Sequence, residues 1–370
     1  SVFVFIPMRM AHGLWLLSRR ITYCCPYENC SFRGLPIHVC TCGIHYADLK
    51  PGFYGIFHHK CHHNDGTIAR LPTMDWLGRK KLNGLCGGCK RPLAFSSIGE
   101  LAEHPIAVVG GPKVGKTIFL IQAIHALHKH FSGMSGSRVS IESEQYQTIE
   151  TTLAQLHAGI LPSKTSGTTM HAHGLAIRVP RRLQRLLYLY DAPGEDFLAR
   201  ERLGKKQSLR NIAGILLLLD PFSLPALADH SQRLVSGLKA AMDPFHEVVT
   251  VLISAVNMLL LDRSTDRCNV PLAVVLTKGD ALPVIDYPFL ADIHPSNGHA
   301  YSAVLGSRCR CAIQDLGARQ SVYMLEQKFS RVGYFVVSAL GRMPTTIDKG
   351  AFLPLGVTQP FLWLLDLERE

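Results

Sequence analysis

The sequence predicts two unlike parts: an α/β domain with a mostly parallel sheet and helices on both faces, and ahead of it a small module held by metal. Three observations carry this. Short apolar runs at 104–109, 212–219 and 269–276 read as strands buried on both faces. The first runs through a glycine-rich turn, Gly110-x4-Gly115-Lys116-Thr117, into a stretch of helical spacing. Eight of the eleven cysteines precede residue 90, a density that reads as metal ligation.

With 370 residues, 47% of them hydrophobic, the chain can bury a large core and more than one domain. The net charge of +11 favours anionic partners: nucleotide, nucleic acid or an anionic membrane face. Ordinary variation in surface charge gives such a value equally well.

Residues 1–19 form an apolar arm or the end of a membrane-proximal segment. The runs 1–8 and 13–17 are separated by Arg9 and His12, and Pro7 falls within the first. Neither reaches the roughly 20 residues of a spanning helix. Arg9, Arg19 and Arg20 would suit the cytoplasmic side of a membrane segment lying upstream of residue 1.

Residues 20–92 are the Cys/His-rich module. Cys86-x2-Cys89 aims two thiolates at one ion across a glycine turn. Structural Zn²⁺ takes four tetrahedral ligands; Cys25, Cys30, Cys86 and Cys89 would make one such site, a pairing the spacing does not dictate. Cys40, Cys42 and Cys61 with a histidine make a second, with His59 and His63 nearest and His45 also open. No HExxH pattern appears, so the ions are read as structural. The module has few periodic aliphatic residues, and zinc would supply its folding free energy.

Residues 93–103 read as a linker and 104–370 as the α/β domain. In the glycine-rich turn, successive N–H groups can point at phosphate oxygens, and the following helix adds its positive end. Lys116 is placed to reach the terminal phosphates and the Thr117 hydroxyl to ligate Mg²⁺. Gly110, Lys113, Gly115 and Ile118 complete the set of loop contacts. Next come a flexible turn at 132–137, a helix over 142–158 and a polar loop at 161–169. Strands at 171–179 and 186–190 pair as a hairpin, and the second ends in Asp191-Ala192-Pro193-Gly194. The strand at 212–219 leads to helices at 227–241 and 247–261. The strand at 269–276 ends in Thr277-Lys278-Gly279-Asp280. A helix over 319–332 precedes a strand at 334–337 that ends in Ser338-Ala339-Leu340-Gly341. Six strands are expected, one pair antiparallel, with a terminal helix closing the chain.

Phosphate loop, DxxG, TKxD and SAL, in that order, resemble the signature set of the P-loop GTPases, from about residue 104 to the C-terminus. The resemblance implies a Ras-like fold that binds GTP or GDP. It implies that Asp191 holds Mg²⁺ through water and that the Gly194 N–H senses the γ-phosphate. A switch threonine would close on both: Thr165 first, Thr168 and Thr169 as alternatives. Asp280 would accept hydrogen bonds from guanine N1–H and the 2-amino group, beside Thr277, with the Lys278 stem covering the base. The Ala339 N–H, between Ser338 and Leu340, would reach O6. The chain departs from the pattern at Pro112 and at Glu195, where Ras-like enzymes carry the glutamine that orients water. The segment from Thr117 to the switch is also longer than in a small Ras-like domain.

A narrower resemblance rests on Leu216-Leu217-Leu218-Leu219-Asp220-Pro221-Phe222-Ser223-Leu224-Pro225, the cysteine array, and Gly356-Val357-x2-Pro360-x-Leu362-Trp363-Leu364-Leu365. These resemble the TRAFAC-class GTPases of bacterial double-GTPase conflict systems. That implies a cytoplasmic, slowly hydrolysing switch in immunity or stress signalling, with a second GTPase or effector as partner. Two other classes compete: a GTP-gated scaffold with negligible turnover, and a nucleic-acid-binding factor in which the zinc module dominates.

Overall fold

The structure is a computed structural model, and it describes residues 2–18, 25, 27, 30, 32, 34–79, 82–93, 102–141, 143–158, 160, 171–180, 185–191, 212–230, 244–260, 266–282, 303–342 and 352–367. The chain divides into two compact units. One holds Ser1–His104 with Met134–Glu142 and Gly174–Tyr188; the other holds Pro105–Gly133, Ser143–His173 and Leu189–Glu370.

The first unit opens with helix α1 (Val2–Ser18), which runs through Pro7. Proline removes one backbone bond there without ending the helix, so the two apolar runs at 1–8 and 13–17 are one element. Three contacts fasten α1 to residues 51–75. Arg9 Nε donates to Pro51 O at 2.6 Å, and the rings of Phe5 and Phe53 lie 5.1 Å apart. His12 Nε2 meets Asp75 Oδ2 at 3.0 Å. Asp75 and Arg79 are both buried, and such charges persist only when fully hydrogen-bonded. Arg79 meets that demand with 3.0 and 2.9 Å bonds to Asp75 and further bonds to Leu49 O and Thr73 O. Burial pushes the Asp75 carboxyl up, but the bonds from His12 and Arg79 outweigh it and hold it below its ordinary range.

Short strands come next: β1 (Ile37–Val39), β2 (His45–Tyr46), β3 (His58–His62), β4 (Ile68–Pro72) and β5 (Asn83–Leu85). They form a sheet in the order β2-β1-β5 and a separate β3-β4 hairpin. One small buried cluster here is Cys40, Leu49, Cys61 and Leu71, with Tyr46, Ala69 and Leu82 against it.

The larger sheet begins with β6 (Ala102–Val109) and helix α2 (Lys116–Gly133). Then come β7 (Arg138–Ile141), α3 (Ser143–His157), β8 (His171–Arg178), β9 (Arg185–Asp191) and β10 (Gly214–Leu219). The chain ends with α4 (Phe245–Leu259), β11 (Leu272–Leu276), α5 (Ala303–Ile313), α6 (Arg319–Lys328), β12 (Val332–Val336) and α7 (Gln359–Leu364). The seven strands stand in the order β12-β11-β10-β6-β9-β8-β7. β6, β10, β11 and β12 pair in parallel, and every residue of β10 and β11 is buried, as a sheet covered on both faces requires. The expected six strands become seven because of β7. It is a four-residue edge strand, antiparallel to β8, whose half-buried alternation is too short to stand out from the neighbouring turn. The helix expected over 227–241 begins instead with a 3₁₀ turn, Pro225–His230, and the rest of that stretch lies outside the described residues. The terminal segment closes the sheet: Phe361 stacks on Phe119 at 5.8 Å and Trp363 meets Phe335 at 5.7 Å. Among the described residues no helix is long and apolar enough to cross a membrane.

Candidate functional site

The strand order places the glycine-rich turn and the loops after β10, β11 and β12 at the carboxyl ends of neighbouring parallel strands, where open α/β sheets bind ligands. The turn itself is held by two glycines for different reasons. Gly115 has φ +92°, a conformation that favours glycine, and a Cβ on Gly110 would stand 2.9 Å from Leu218 O. Lys113 also takes a positive φ, 62°. Lys116 opens α2, and its ammonium donates to Gly110 O and Gly111 O at 2.9 and 3.1 Å. It therefore lies folded over the loop whose N–H groups would receive an anion. Thr117 and Ile118 follow it in the first turn of α2.

The turn after β11 is bound to this loop. The Thr277 hydroxyl is buried and stands 3.1 Å from both Val114 O and Leu219 O. The Thr277 N–H donates to Leu219 O, and the Gly279 N–H to Val337 O. Lys278 has φ 53°, and its ammonium reaches Asp220 Oδ2 at 2.6 Å. The Ser338 hydroxyl donates to Asp280 Oδ1 and accepts from the Gly341 N–H at 2.7 Å. Residues more than 50 positions apart are thus brought together: loop, TKGD turn and SAL turn. Ala339 and Leu340 lie in this last turn.

Asp191 ends β9, at the position expected of it. Thr165, Thr168, Thr169, Gly194 and Glu195 lie outside the described residues. Sequence reasoning passed over Asp220, although an aspartate at the end of an unbroken leucine strand is a visible signal. Its side chain is wholly buried, and Oδ1 accepts from the Phe222 N–H at 3.0 Å.

The cysteines form two clusters in which each set of four ligand atoms lies within 4.8 Å: Cys25, Cys30, Cys86, Cys89, and Cys40, Cys42, Cys61, His63. Sulfur–sulfur separations of 3.7 Å (Cys25–Cys89), 3.6 Å (Cys30–Cys86) and 3.6 Å (Cys42–Cys61) match the edge of a tetrahedron with Zn–S bonds of about 2.3 Å, roughly 3.8 Å. The donor set fits a divalent ion electrostatically too. Burial pushes the Cys25 thiol up. At Cys86 burial also raises the pKa, but the Cys89 and Gly88 N–H groups outweigh it and leave about 7. Burial likewise opposes ionisation of Cys40, and bonds from the Cys42 backbone and His63 bring it to about 6. Several thiolates this close repel one another unless a cation lies among them.

Of the two nearest histidine candidates, the structure selects His63 and not His59. His63 Nε2 is 3.2 Å from Cys40 Sγ, while Nδ1 stands 3.1 Å from Thr67 Oγ1. Thr67 gives its own proton to Asp65 Oδ1, so it accepts from Nδ1–H and leaves the Nε2 lone pair facing the cluster. His59 stands two residues before Cys61 on β3, and its ring lies against Tyr46 at 4.9 Å and Tyr54 at 5.5 Å. Strand rise alone carries it about 6–7 Å from Cys61. His45 is exposed and outside the cluster.

A family model described as Double-GTPase 2 matches residues 104–319, more than half of the chain. No curated protein matches it.

Proposed function

The chain belongs to the Double-GTPase 2 family, a guanine-nucleotide-binding GTPase in kind, and from that premise we propose that it is a Mg²⁺-dependent, intrinsically slow GTP hydrolase that works as a switch with a protein partner. The carrying observation is the Thr277 hydroxyl, which ties the TKGD turn to the phosphate loop through Val114 O. It supports a single site with phosphate groups at Lys116 and the base at Asp280.

In this reading the loop amides and Lys116 bind the β- and γ-phosphates, exchanging the Gly110 and Gly111 carbonyls for phosphate oxygens. Thr117 and Asp191 would hold Mg²⁺, which neutralises charge developing on the phosphate oxygens. Thr165, Gly194 and Glu195 take the γ-phosphate and the attacking water. Asp280, steadied by Ser338, accepts the two guanine donors that adenine lacks, with Ala339 N–H on O6. A carboxylate closed over by a base that offers it no donor is what disfavours ATP. The two clusters hold structural Zn²⁺, and a second GTPase or an effector in a conflict or stress pathway is the partner.

Nucleotide binding and single-turnover hydrolysis with GTP and ATP, with and without Mg²⁺, test this. We expect GTP preferred by orders of magnitude and converted slowly to GDP. GTP bound but never hydrolysed, with or without a partner, would leave a nucleotide-gated scaffold. Equal affinity for ATP would remove the guanine assignment.

A further inference from the structure

We propose that Asp220 is a positioning residue for base recognition: its buried carboxylate holds the Lys278 ammonium so that the lysine stem lies fixed as a platform for guanine. This rests on the guanine-nucleotide reading above and adds to it a residue outside the four motifs.

Three features of the site carry it. First, the Lys278 side chain is tethered at both ends. Its backbone is pinned by the Thr277 N–H on Leu219 O at 2.8 Å and the Gly279 N–H on Val337 O at 2.9 Å. Its ammonium is pinned by Asp220 Oδ2 at 2.6 Å, with the Phe222 ring centroid 5.9 Å away. Four methylenes held between two fixed points lose their rotamer freedom on folding, not on binding nucleotide.

Second, Asp220 is not an incidental surface partner. Its side chain has no exposure, whereas that of Lys278 keeps 15%. A carboxylate at that depth has no water to compete with the ammonium, so the pair constrains the lysine more than a surface ion pair would.

Third, Asp220 is itself held rigidly. Oδ1 accepts from the Phe222 N–H at 3.0 Å, and the preceding carbonyl, Leu219 O, accepts from the Thr277 N–H. The strand β10 thereby sets the position of Lys278 across 58 residues of sequence.

The division of labour between the two oxygens supplies a clean test. Asp220→Asn can keep the bond from Phe222 N–H through its carbonyl oxygen while losing the charge that holds Lys278. Affinity for a fluorescent GTP analogue and steady-state GTP hydrolysis are measured in the parent, Asp220→Asn, Lys278→Ala and the double variant. We expect Asp220→Asn to weaken binding about tenfold and to raise KM with kcat nearly unchanged, since the phosphates are held elsewhere. We expect no further loss when it is added to Lys278→Ala. We also expect it to raise the melting temperature of Lys278→Ala, because it removes a buried negative charge that no longer faces the lysine ammonium. Asp220→Glu keeps the charge and should recover most of the lost affinity, which a purely structural role for the native carboxylate would not produce. Parent-like binding by Asp220→Asn, an equal loss in the Lys278→Ala background, or equal losses in the Asn and Glu variants would each overturn the assignment. A parent that binds no guanine nucleotide would instead overturn the reading of the whole site.

Discussion

The metal clusters and the nucleotide loops are stabilised in opposite ways. Around the clusters several buried side chains are also the candidate ligands: Cys40 and Cys61 stand with Leu49 and Leu71 in one buried cluster. The strands there run two to five residues, too few to bury much apolar surface. Around the nucleotide loops, β10 and β11 are buried end to end and supply the core beneath them, while the proposed phosphate- and base-reading side chains, Lys116 and Asp280, are only partly buried. The loops are then free to carry chemistry. Function and stability thus coincide in one region and are separated in the other.

Removing metal should expose this difference most strongly. A structural zinc site contributes on the order of 10 kcal/mol of folding free energy. Chelation, or Cys86→Ser, should release zinc by elemental analysis and abolish hydrogen-exchange protection in 37–85. Protection of β10 and β11 should survive. Intact protection of 37–85 in metal-free protein would show that its core needs no ion.

Lys116→Ala should give the converse. Two charge-assisted bonds to phosphate, at roughly 1.5–3 kcal/mol each, correspond to about a hundredfold loss of GTP affinity or more. The melting temperature should move little, because the lysine serves no core. Calorimetry of binding beside thermal unfolding reads both, and GTP affinity equal to the parent's would displace the phosphate assignment.

Asp280→Asn probes the same separation at the base. An amide cannot accept from both guanine donors but suits xanthine, which carries a carbonyl in place of the amine. GTP should weaken by about ten- to a hundredfold and XTP improve, with Mg²⁺ dependence unchanged. Competition among GTP, XTP and ATP measures it, and an unaltered order of preference counts against Asp280 as the base reader.

The smallest effect belongs to a pair that touches neither site. Arg310 grips Glu326 with bonds of 2.5 and 2.7 Å, and Tyr334 adds one of 3.0 Å. The Arg310 bond, first, and that from Tyr334 outweigh burial and hold the Glu326 carboxyl below its ordinary range. A depressed carboxyl pKa stabilises the fold above the unfolded value near 4.3 and stops doing so as pH falls through the folded value. Glu326→Gln should cost about 1 kcal/mol at pH 7 after solvent screening, and less in acid. The gap between parent and variant urea midpoints at pH 7 and in acid tests it; a gap that widens in acid would reverse the sign.

Much was legible in the residues alone because it is local. A phosphate loop needs glycines and a lysine at fixed spacing between a strand and a helix, so Gly110, Gly115 and Lys116 announce it. Apolar strands ending in Asp191, Thr277-Lys278-Gly279-Asp280 and Ser338-Ala339 are likewise short-range signals, and Cys86-x2-Cys89 is another. The count of four ligands per ion made two sites legible, whereas which cysteines stand together is decided by the fold.

What the tertiary structure decided depends on contacts between distant segments. His59 and His63 are equivalent by composition, and only the turn after β3, with Thr67 facing Nδ1, aims one of them at Cys40. Asp220 and Lys278 meet only because β10 and β11 are neighbours in parallel register, and no spacing rule relates them. β7 exists because β8 offers an edge to Arg138–Ile141, a segment too short to stand out as a strand from its sequence. The local motifs determine which chemistry is available; sheet order determines which groups share a site, because hydrogen bonds and ion pairs act over a few ångströms of space and not over sequence.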